Sequence, residues 1–152
     1  MTDPHWTTYL AALLTPTITI FGAMIAYRQW RIAQNKLKLD LFERRLAIYE
    51  TATGYISSVM ITGKTSQVKE MEFLTGIRGA KWLFNDEIVQ YLNKDLWHKI
   101  CDLGCVQSEL EGMAVGEERT QKHHARSDLT RWLAAQHEVI DNKFSPFLSL
   151  RH

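Results

Sequence analysis

The stretch Gly22–Arg31, "GAMIAYRQWR", divides the chain into two kinds of sequence. From Trp6 to Tyr27 there is no charged residue, and all 18 lysines and arginines lie at Arg28 or beyond. The uncharged run of 22 residues would, as a helix, extend roughly 33 Å at ~1.5 Å per residue. That matches a bilayer hydrocarbon layer of roughly 30 Å, and a core helix of a water-soluble protein rarely stays uncharged all round for so long. Trp6 and Tyr9 flank one end of the run, and Tyr27 and Trp30 the other, where interfacial aromatic side chains sit. Arg28, Arg31, Lys36 and Lys38 follow at once, whereas only Asp3 and His5 precede. The positive-inside bias therefore predicts a membrane segment over residues 1–27, its N-terminus outside, with residues 28–152 in the cytoplasm.

Two other readings compete for the run. A signal peptide would carry its basic residues before the apolar stretch, and here they come after it. A buried helix of a soluble domain is the stronger competitor, because Thr7, Thr8, Thr15, Thr17, Thr19 and Pro16 dilute the apolar character. Membrane helices tolerate both residue types, since neighbouring helices can satisfy the freed backbone groups. The threonines also suggest a face turned toward other helices or a wet lumen.

The rest of the composition is unremarkable for one domain of 152 residues. A formal net charge of +1 gives no bulk preference for nucleic acid or for an acidic partner. Cys101 and Cys105, four apart, are not a disulfide framework and read as free thiols in a reducing compartment.

Beyond Tyr27 the periodicity is helical throughout, which predicts an all-α fold with a cytosolic bundle of about four helices. Leu37, Leu41, Ile48, Ala52, Tyr55 and Val59 fall on one stripe at spacings of three, four and seven. That stripe is the candidate core and oligomer face of a helix continuing from the membrane segment. A second helix is expected over Ser66–Phe84, with Met71, Leu74, Ile77 and Trp82 inside. Asn85 followed by Asp86 and Glu87 reads as a helix cap with acids at the positive end of the dipole. The next helix is expected over Asp86–Glu111, bent near Asn93. The last runs from Glu117 to Phe144, where Pro146 stops it. Trp97 and Trp132 are expected in the core.

The most pointed constellation is "RTQKHH", in which Arg119 and His124 stand near the start of the last helix. Imidazole can act as a general acid or base near neutral pH, and guanidinium can stabilise charge on a phosphorane, so the pair is a candidate for RNA cleavage. Arg131 and His137 repeat the pattern with one more residue between them, which shows how readily it arises by chance. His98, Cys101 and Cys105 share one helix face and would suit zinc. Burial of the cysteines explains the same spacing more simply, so no metal and no cofactor is assigned.

At "KLKLDLFERRLAIYE" (Lys36–Glu50), "AKWLFNDEIVQYL" (Ala80–Leu92) and the closing "FSPFLSLRH", the chain resembles a family of small bacterial proteins. These carry one N-terminal membrane helix and a cytosolic helical domain. Arg119 and His124 also match the R-x4–6-H motif of HEPN-type bundles, and a membrane-anchored HEPN-like layout resembles the small accessory proteins found beside RNA-targeting CRISPR effectors. The resemblance implies an oligomeric inner-membrane protein that forms a pore or perturbs the membrane in antiphage defence. A membrane-tethered HEPN-like RNase and a non-catalytic anchor for a cytosolic partner are the alternatives. The expected partners are the membrane, further copies of the chain, and a protein or RNA in the cytosol. No small-molecule substrate is evident.

Overall fold

A computed structural model describes the backbone of residues 6–149 and the side chains of residues 18–149. The described residues are helical, with no strand among them. Helix α1 spans Trp6–Thr62, α2 Gln67–Ile77, α3 Ala80–Leu83 and α4 Asp86–Gln90. A π-helical segment, Tyr91–Leu96, leads into α5, Trp97–Gly112, and α6 covers Glu117–Phe144. The chain divides into two compact units, one ending at Asp40 and one beginning at Leu41.

In the first unit the described side chains, 18–40, belong to α1 and all are exposed. The second unit has a single apolar core. α1 supplies Ile48, Ala52, Tyr55, Ile56 and Val59 to it, at the spacing that puts them on one helix face. Phe73 and Ile77 of α2 close over these, and Leu133, Ile140 and Phe144 of α6 complete the packing with the buried residues of the central helices. The direction of α6 against α4, the π segment and α5 is shown by paired contacts. Glu109 meets Lys122, Tyr91 meets Gln136 and Glu87 meets Lys143, one number rising as the other falls, as antiparallel neighbours require.

Local chemistry explains most of the element ends. Gly63 ends α1 in the left-handed region at φ 65, where a side chain would be strained, and its N–H donates to the Val59 carbonyl at 2.7 Å. The Gly63 carbonyl is in turn held by the Arg126 guanidinium. Asn85 caps α4 as expected, its Oδ1 accepting from the Ile88 N–H at 3.2 Å. The expected bend near Asn93 takes the form of the π segment, which brings Tyr91, Leu92 and Leu96 into the core together. Pro146 follows the end of α6 at Phe144. There Arg45 donates to the carbonyls of Leu83 and Phe147, at 3.1 and 3.3 Å, and so ties α1 to the end of α3 and to the C-terminal turn.

Two expected core residues are on the surface. Met71 and Trp82 are 65% and 79% exposed. The expected helix Ser66–Phe84 is in fact two, because α2 stops at Ile77 and α3 starts afresh at Ala80. The restart changes the helical phase, so Ala80 faces the core and Trp82 faces out beneath Lys81. In α2 the buried pair is Phe73 and Ile77, four apart, which turns Met71 away. Trp97 and Trp132 are half-buried against the core.

Candidate functional site

The feature that sets this chain apart is the exposed part of α1. Ile18, Ile20, Phe21, Met24, Ile25, Tyr27, Trp30, Ile32, Leu37 and Leu39 all stand in the open among its described residues. Large apolar side chains in such number on one helix mark a surface that lipid or protein covers. Tyr27 and Trp30 lie side by side with ring centroids 6.1 Å apart, and Arg28 and Arg31 are exposed beside them. Of the interfacial residues expected from sequence, these four are therefore grouped at one level of the helix. The other two, Trp6 and Tyr9, lie outside the described side chains.

The stripe expected from Leu37 to Val59 separates into two parts. Ile48 and Tyr55 are buried in the second unit, whereas Leu37 and Leu41 are 56% and 38% exposed. Among the described residues no helix is long and apolar enough to cross a membrane. Of the uncharged run Trp6–Tyr27, only residues 18–27 have described side chains.

Arg119 and His124 share α6 but not one side of it. Five positions apart on one helix, they lie about 140° apart around its axis at ~100° per residue. The Arg119 guanidinium donates to the Met113 carbonyl at 3.4 Å and so clasps the loop between α5 and α6. His124 is exposed. Nearby basic residues are engaged structurally: Lys122 pairs with Glu109 at 2.5 Å and Arg131 with Asp128 at 3.5 Å. The hydrogen bond from Lys122 to Glu109 raises the pKa of the lysine, which stays a cation.

A polar cleft between α2 and α5 holds Thr65, Glu70, Cys101, Gly104, Cys105 and Gln107. The Gln107 amide oxygen accepts from the Thr65 N–H at 2.9 Å, fixing the chain as it leaves α1. Burial pushes the Cys101 thiol up, and Glu70, Cys105 and Asp102 push it further, so it is a neutral thiol with little nucleophilic character. No three His, Cys, Asp or Glu side chains come together to hold a metal among the described residues. His98 and Cys105 both point to solvent.

Sequence reasoning missed Arg45 and Arg126, whose guanidinium groups reach carbonyls far away in the chain. No local pattern marks an arginine for such a task, since the acceptors come from other elements. Neither a family model, nor a curated protein, nor a solved structure matches the chain.

Proposed function

We propose that the chain is an oligomeric membrane protein, held in the bilayer by the first part of α1 and presenting its helical second unit to the cytoplasm. The observation that carries this reading is the row of exposed apolar residues from Ile18 to Leu39, interrupted at Tyr27–Arg31 by two aromatic rings and two arginines. Lipid is the natural cover for the part before Arg28, and further copies of the chain for the part after it. In this reading the protein is a single-pass protein of the bacterial inner membrane with its N-terminus outside. The pore-forming, antiphage role is the outer part of the proposal and rests on the resemblance of sequence alone.

The RNase reading is the weaker one, because Arg119 is engaged by the Met113 carbonyl and His124 lies on another face of α6. The full chain, expressed in bacteria, is expected to remain with the membrane fraction through an alkaline wash. After detergent extraction it is expected to run at a multiple of the 17.6 kDa chain. Release by the wash would remove the membrane half of the proposal, and a monomeric mass the oligomeric half.

A further inference from the structure

Ile18, Ile25, Ile32 and Leu39 recur at intervals of seven along α1, and each is at least 49% exposed. On a straight helix such a row drifts by about 20° per heptad, which a left-handed supercoil with a neighbouring helix takes up. Lipid can cover Ile18 and Ile25, which precede Arg28. Ile32 and Leu39 follow Arg28 and Arg31 and stand among Lys36, Lys38 and Asp40, in water. One row passing from apolar to aqueous surroundings needs a cover of the same geometry in both. A second copy of the same helix is such a cover, since its own row makes the same passage at the same residues.

We propose that the α1 helices of separate copies pack parallel and in register along Ile18, Ile25, Ile32 and Leu39. This rests on the membrane reading above, because shared insertion is what makes the copies parallel. Inside the bilayer Ile18 and Ile25 gain nothing from leaving lipid, so their contribution is packing alone. Ile32 and Leu39 leave water and carry the hydrophobic gain. β-Branched isoleucine at three equivalent positions suits a parallel seam. Arg28 and Asn35 fall three residues after Ile25 and Ile32, at the companion position of the heptad. An asparagine there weakens the seam, and the arginine can extend its guanidinium outward to the headgroups. The seam is therefore weak in solution and effective where the membrane keeps copies aligned and close.

The test uses the full chain in reconstituted bilayers, with Cys101→Ser and Cys105→Ser removing the native thiols. Single cysteines are then introduced as Ile32→Cys, Leu39→Cys or Gln34→Cys, the last on the opposite side of the helix. Oxidation is expected to convert most Ile32→Cys and Leu39→Cys chains to covalent dimers, with loss of that product in Gln34→Cys. Cross-linking at Gln34→Cys equal to the others, or none at Ile32→Cys and Leu39→Cys in a complex still oligomeric by mass, overturns the seam and leaves the oligomer standing. A monomeric mass for the cysteine-free chain overturns both.

Discussion

The Tyr91 hydroxyl donates a 2.9 Å hydrogen bond to the side-chain carbonyl of Gln136 inside the core of the second unit. Gln136 is the buried polar side chain of that core among the described residues, and its amide nitrogen donates to the Trp132 carbonyl at 3.2 Å. Removing one partner strands the other in an apolar setting. Tyr91→Phe and Gln136→Leu are each expected to lower unfolding free energy by about 1–3 kcal/mol. The double variant should lose less than the sum, because neither orphan remains. Denaturant titration of the four proteins measures this; additive losses would mean the bond contributes nothing of its own.

Gly76 sits where α2 crosses α1. A β-carbon placed there would lie 2.5 Å from the Thr51 methyl and 2.7 Å from its hydroxyl. Thr51 cannot swing aside freely, since it is β-branched and its hydroxyl donates to the Ala47 carbonyl at 2.8 Å. Gly76→Ala is expected to destabilise by about 1–3 kcal/mol through overpacking, despite the higher helix propensity of alanine. Adding Thr51→Ala should restore most of the loss. A stabilising effect of Gly76→Ala alone would show that α2 does not approach α1 this closely.

How much of this was legible in the sequence depends on whether the signal was local. The bounds of α6 were, because a glycine-bearing loop precedes Glu117 and a proline follows Phe144. So was the Asn85 cap, whose acceptor and donor are three residues apart. The split between α2 and α3 was not: Gly76 and Gly79 are each tolerable in a helix, and tertiary packing decides that the helix stops. Trp82 was misplaced as a consequence. The Arg119–His124 pattern counts letters without regard to helical face, so it could not reveal that Arg119 serves the loop. The change of charge at Arg28 and the start of compact packing at Leu41 are different boundaries, and only the first leaves a mark in composition.

Tyr55 carries a buried hydroxyl with no hydrogen-bond partner among the described residues. Its ring packs on Phe73 at 5.4 Å between centroids, so the aromatic surface is well used and the hydroxyl is not. Tyr55→Phe is expected to keep the packing and remove the desolvated group, leaving the stability unchanged or raising it by about 1 kcal/mol. Thermal unfolding checks this directly. A loss larger than that for Tyr91→Phe would reveal a partner for the hydroxyl.

Alkali should unfold the second unit through its tyrosines. Burial raises the pKa of both Tyr55 and Tyr91 above the ordinary value of 10.0, with Glu70 adding to the first and Asp95 to the second. Protonated in the fold and ionised in the unfolded chain, each contributes stability that is whole below pH 10.0 and is lost as pH rises above it. The expected slope is about 1.4 kcal/mol per pH unit for each tyrosine. Denaturant midpoints measured from pH 8 upward should fall less steeply in Tyr55→Phe, which has one such group fewer, while Tyr91, Tyr49 and Cys101, all with raised pKa values, keep part of the slope. An unchanged slope in that variant would assign the alkaline loss to other groups.

Arg119 and His124 can be told apart by stability as well as by catalysis. Arg119 holds the Met113 carbonyl from the first turn of α6, whereas His124 makes no such contact. Arg119→Ala is expected to lower stability by about 1 kcal/mol and to raise hydrogen exchange in the loop at Met113–Gly116. His124→Ala should change stability by less than about 0.5 kcal/mol, as surface substitutions do. Any RNA cleavage by the full chain should be the same in both variants and in the parent. Cleavage lost in both, with the Arg119→Ala loop still protected from exchange, would restore the pair as a catalytic one.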